Sequence, residues 1–171
     1  MTIKYDNHTK VQAEMLIEMI ESIIISMEKS KQKKLEMEDW VYVDDTASDD
    51  VKPFSCGYAA CVIGDHVIRT EGIDFPILAY KSTSIAISCN KVTKRLRELA
   101  TFITGENGLA HSIYNFNPIH RYHGALTSGL FESGEVENYR HLMVDYPTPK
   151  DVVIYLKAIN ENLLNKVINS Q

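Results

Sequence analysis

The segment Ser55-Cys56-Gly57-Tyr58-Ala59-Ala60-Cys61-Val62-Ile63-Gly64 gathers two thiols, a hydroxyl and several small residues within ten positions. Ser55 is a helix-capping residue, Gly57 permits close backbone approach, and Ala59 and Ala60 favour helix, so a helix is expected to begin near Cys56 or Gly57 and stop at Gly64. A helix start offers unpaired amides and the positive end of the dipole, which suit a phosphate or carboxylate. Ser55, Cys56, Gly57 and Tyr58 are therefore candidate ligand-binding residues. The same field lowers a thiol pKa, which makes Cys56 the candidate nucleophile of a cysteine hydrolase. His141 would be its base, carried on a strand at residues 141–145, with His120 or His123 as substitutes. An oxyanion hole supplies the largest stabilising term in such chemistry, and residues 51–55 contain no glutamine while Gln32 lies too early. Binding thus ranks above hydrolysis. Burial of Cys56 and Cys61 as small core residues is the plain structural alternative.

A second concentration of chemistry is His120-Arg121-Tyr122-His123. It offers cation, ring and hydrogen-bond donors within one turn, a set suited to a nucleotide or phosphate. Three-residue spacing puts His120 and His123 on one helix face, but no Cys-x-x-Cys pair accompanies them, so hydrogen-bonded histidines are expected in place of a zinc site. Neither a metal nor a cofactor is expected. Lys91, Lys94, Arg95 and Arg97 form a basic helical cluster, either a solvated face or an extension of such a site.

These residues need elements to hold them. Over residues 11–27 apolar side chains recur at three- and four-residue steps between glutamates, an amphipathic helix with an apolar stripe wide enough for core packing or for a partner. Residues 84–103 repeat the pattern up to Gly105, and residues 109–116 read as a brief helix. Asn117-Pro118 opens another short helix towards Phe131. Residues 132–137 read as loop and 141–145 as a strand, and a second β-prone patch is Trp40-Val41-Tyr42-Val43. Thr148-Pro149-Lys150-Asp151 combines a hydroxyl cap, proline at the first helical position and an acid at the third. No repeat, linker or glycine-rich phosphate loop is visible. The fold class is mainly α (α+β at most), a single helical domain over residues 1–171 with one or two short strands.

The chain has 171 residues and 19.4 kDa with net charge −5 and pI near 5.7, which disfavours nucleic acid and polybasic membrane attachment. Residues 36–50 hold seven acids and no base, so the remainder carries +2 and still admits a small anion. The odd count of three cysteines suits reduced thiols. No apolar run approaches the roughly 18 residues of a membrane span, and the first ten residues lack the pattern of a signal peptide. A cytoplasmic protein is expected, with no membrane partner.

Residues 37–64 resemble a family of small, mostly uncharacterised bacterial and phage proteins. In these a Met-x-x-Trp element precedes Cys-Gly-Thr-x-Ala-Cys-x-Ala-Gly. The matching residues are Met37, Trp40, Cys56, Gly57, Ala60, Cys61 and Gly64, while Tyr58, Ile63 and the Asp65-His66 continuation depart from the pattern. The resemblance implies a phage accessory, anti-defence setting in the host cytoplasm. The expected function is non-enzymatic binding of a host or defence protein, or sequestration of a small phosphate-bearing, nucleotide-like signal. Hydrolysis by Cys56 and His141 is the alternative, and an oligomeric scaffold or homo-oligomer built on the first helix is the third.

Overall fold

The computed structural model describes residues 5–35, 41–42, 59–72, 78–114, 128–142, 144 and 147–170. The fold is mainly α. The first helix, α1 (Asn7–Glu28), starts four residues before its apolar stripe because Asp6 caps it, accepting from the Thr9 amide at 2.7 Å and the Thr9 hydroxyl at 2.6 Å. These two hydrogen bonds hold the exposed Asp6 carboxyl below its ordinary pKa. Two short strands follow, β1 (Val41–Tyr42) and β2 (Ala59–Ala60), paired antiparallel with Val41 opposite Ala60 and Tyr42 opposite Ala59.

Then come α2 (Val62–Thr70), α3 (Leu78–Thr104) and α4 (Gly108–Tyr114). The short α5 (Ser133–Glu137) leads into a 3-10 turn at Arg140–Leu142. Finally α6 (Pro149–Leu163) runs on into a π-type turn at Leu164–Ile168.

Apolar periodicity explains the packing. Leu16, Ile20, Ile23 and Met27 of α1 are fully buried and meet α6, which contributes Val152, Leu156, Ile159 and Leu163. Leu96, Leu99 and Ile103 of α3 close the same core, with Val62, Ile63 and Val67 of α2. The His8 ring lies 4.9 Å from that of Phe102, while the Arg95 guanidinium lies 3.8 Å from the Met15 sulfur. Rising numbers in α1 thus meet falling numbers in α3, and the two helices run antiparallel. Likewise Lys10 donates to the Ser170 carbonyl and Lys157 pairs with Glu28, each at 2.8 Å, so α1 and α6 are antiparallel as well.

Three local expectations are corrected. The helix of the cysteine motif begins at Val62, not at Cys56 or Gly57, because Ala59 and Ala60 are engaged in pairing with β1; Gly64 lies inside the helix and does not end it. Within residues 132–137, expected as loop, Ser133–Glu137 is helix with Glu132 as its N-cap, since the Glu135 carboxylate reaches back to the Glu132 amide at 2.7 Å. Lys166 pins this turn by contacting Glu135 at 2.8 Å and the Leu130 carbonyl at 2.7 Å, which holds the Glu135 carboxyl below its ordinary pKa.

The strand expected at residues 141–145 is instead a 3-10 turn over its first two positions; Leu142 turns inward, and Arg140 is held by Glu137 at 2.9 Å. Elsewhere α3 begins six residues earlier than its apolar stripe, and the helix expected after Asn117 lies mostly outside the described residues. The start of α6 is as expected. The Thr148 hydroxyl accepts from the Asp151 amide at 3.2 Å, and the Asp151 carboxylate accepts from the Thr148 amide at 2.8 Å, with Pro149 at the first position.

Candidate functional site

Of the residues singled out for chemistry, Ser55, Cys56, Gly57, Tyr58, His120, Arg121, Tyr122 and His123 lie outside the described residues. His141 is exposed and sits on the 3-10 turn, so the base-bearing strand expected for a hydrolase is not formed there.

The described half of the cysteine motif has a structural task. Cys61 is the N-cap of α2, and its sulfur accepts from the Gly64 amide at 3.3 Å, taking the place usually filled by a serine, threonine or aspartate oxygen. Burial pushes the Cys61 thiol up to about 11 despite the opposing amides. Cys89 on α3 is also buried, and desolvation first, then nearby Cys61 and Glu71, pushes it up to about 12. Both are thiols rather than disulfide partners, and both are held neutral, the opposite of an activated nucleophile.

Behind that cap α2 carries two buried polar contacts, one to α1 and one to the turn that follows it. Asp65 is fully buried; its Oδ1 accepts from Gln32 Nε2 and its Oδ2 from Arg69 Nε, each at 2.8 Å. His66 Nδ1 lies 2.9 Å from the Ser26 hydroxyl. Ser26 in turn lies 3.1 Å from the Ser22 carbonyl, which can only accept. The Ser26 hydroxyl therefore bridges the helix carbonyl and the imidazole. Desolvation lowers the His66 pKa, only partly opposed by Asp65, so the ring is neutral at physiological pH. The cluster locks α1, the Gln32 turn and α2 together.

The basic cluster of α3 is divided by helical geometry. Arg95 leans towards α1 through Met15, and Lys91 lies one turn before it on the same side. Arg97 faces α4, where it donates to the Tyr114 phenol oxygen at 3.1 Å, and Lys94 stands between the two sides, three residues from Lys91 and three from Arg97. The Tyr114 ring rests against His111, with centroids 5.1 Å apart. The phenol oxygen accepts from Arg97, and no other group among the described residues takes its own proton or the remaining guanidinium N–H groups, which suit an anion; the exposed Lys94 lies one turn away.

Tyr114 is the residue sequence reasoning missed. The only signal was its position at the end of a short helix, six residues before His120. Among the described residues no group of three or more histidines, cysteines or acids is placed to hold a metal. Nor is any described helix long and apolar enough to cross a membrane.

No protein-family model matches the chain, and neither a curated protein nor a solved structure matches it.

Proposed function

We propose that the protein is a non-enzymatic accessory protein that binds a host or defence component, with a small phosphate-bearing, nucleotide-like anion as its ligand class. The observation that carries this reading is the Arg97–Tyr114 pair at 3.1 Å on the α3/α4 edge, with Lys94 one turn away. A guanidinium held by a phenol is oriented before any ligand arrives, and its planar fork matches phosphate oxygens better than a flexible ammonium does. The tyrosine ring adds an apolar face against which a base or ribose can lie. Arg121 and Tyr122, seven and eight residues beyond Tyr114 in the sequence, offer the same two side-chain types. The phage setting comes from the resemblance of residues 37–64, and cytoplasmic residence from the three reduced-type cysteines.

A thermal-shift screen of nucleoside mono-, di- and triphosphates, cyclic dinucleotides and pyrophosphate tests the reading. A ligand that binds only the folded state raises Tm, and a concentration of 100 times Kd adds about 2.7 kcal/mol of stability. At least one phosphate ligand should raise Tm in the wild type, and Arg97→Glu should abolish the rise while leaving the unliganded Tm within a few degrees. If no compound shifts Tm, or if Arg97→Glu responds as fully as the wild type, the anion site is not at this edge.

A further inference from the structure

We propose that the opposite flank of α3, together with α1, is the interface of a two-fold symmetric homodimer in which α1 of each copy lies against α3 of the other. Among the described residues eight large apolar side chains are exposed, and five belong to these two helices: Val11 (48%), Met15 (36%), Ile25 (50%), Ile87 (53%) and Phe102 (49%). Val11, Met15, Ser22 and Ile25 follow one another at steps of four, seven and three, which is a single stripe on α1. Ile87, Lys91, Arg95, Glu98 and Phe102 do the same on α3 at steps of four, four, three and four. The antiparallel contact, His8 on Phe102 at 4.9 Å and Arg95 on Met15 at 3.8 Å, brings the stripes together as one surface two helices wide.

Charge selects the occupant. Residues 11–28 carry Glu14, Glu18, Glu21 and Glu28 with no lysine or arginine, whereas the α3 stripe carries Lys91 and Arg95. Glu28 is already paired with Lys157, and Glu98, the one acid that follows on the α3 stripe, lies 3.5 Å from Arg95. A two-fold rotation sets the acidic helix of each copy on the basic helix of the other, so the complementary contact forms twice. The surface is large enough: α1 is about 33 Å long and a helix about 10 Å wide, giving on the order of 600 Å2 in plan per protomer. That approaches the roughly 800 Å2 per partner of a stable interface.

The test is sedimentation velocity of the full chain, with circular dichroism to verify that each variant is folded. The wild type should sediment as a dimer of 19.4 kDa chains, and Met15→Glu and Phe102→Glu should each weaken dimerisation tenfold or more. Charge reversal gives a readout that loss of fold cannot imitate. Glu18→Lys alone and Lys91→Glu alone should both be weakened, because each sets like charges together twice. An equimolar mixture of the two variants should recover a heterodimer, since the two reversed charges then face each other at one contact and the native Glu18 and Lys91 face each other at the symmetry-related one. A wild type that stays monomeric at high micromolar concentration overturns the proposal. A dimer indifferent to Met15→Glu and Phe102→Glu overturns it too, as does a mixture that associates no better than its components. Arg97 and Tyr114 meet at the α4 side of α3, away from α1, so phosphate binding is judged separately by the Arg97 variant.

Discussion

Cys61 shows how one residue type can be read two ways. Expected as a small core residue, it is buried and also serves as a helix cap: its sulfur receives the Gly64 amide, and burial drives its pKa up to about 11, while the candidate nucleophile Cys56 lies outside the described residues. Native-state alkylation with iodoacetamide near neutral pH should therefore modify Cys61 and Cys89 far more slowly than a free cysteine, the rates being followed by mass spectrometry. Cys61→Ala removes the cap and should cost about 1–2 kcal/mol in a urea melt, with Cys61→Ser recovering part of it because the hydroxyl is the better acceptor. Asp65 is a stronger test of the buried cluster: Asp65→Ala strips Gln32 and Arg69 of their shared acceptor and should destabilise by about 3 kcal/mol.

His66 gives the pH signature. Its folded pKa lies below the ordinary 6.5, so the unfolded chain binds the proton more tightly. The stability associated with the neutral ring is complete above pH 6.5 and drains away as pH falls from there towards the folded pKa, at up to about 1.4 kcal/mol per unit. A stability profile by urea melts should show this loss in the wild type and a flatter curve in His66→Gln over the same window.

At the scale of elements, the caps decide what was legible. Thr148, Pro149 and Asp151 are the ordinary residues for their positions, and α6 begins where they predict. Thr148→Ala should accordingly lower stability by about 1 kcal/mol in the same melts. The beginning of α2 was not legible, because a sulfur is not among the usual capping atoms. The helix preference of Ala59 and Ala60 is overridden by pairing with Val41 and Tyr42, a contact far away in sequence. Gly134 suggested a loop, whereas the Glu132 amide and Glu135 carboxylate hold a turn of helix around it, supported from α6's end by Lys166. At residues 141–145 the apolar Leu142, Met143 and Val144 imitate a strand, but a chain already tied by Arg140 to Glu137 continues in a 3-10 turn that buries Leu142. The long apolar stripes of α1, α3 and α6 were legible throughout, since their period is set by burial against one another.

For the whole molecule, the governing quantity is how charge is distributed around the helical core. The acids of residues 36–50 account for more than the whole net charge of −5, and the basic residues of α3 split between two flanks with different neighbours. Towards α1, Arg95 and Lys91 border exposed methionine, phenylalanine and isoleucine, the composition of a protein interface. Towards α4, Arg97 borders a phenol, the composition of an anion site. Sequence alone located the basic cluster but not its division, because the division depends on which neighbouring helix each side chain meets. Native mass spectrometry of the protein purified from bacterial cells, under conditions gentle enough to retain small ligands, tests the binding reading most directly. Wild type should carry or take up a phosphate-bearing ligand that Arg97→Glu does not; a wild type that neither carries one nor binds any offered nucleotide would contradict it.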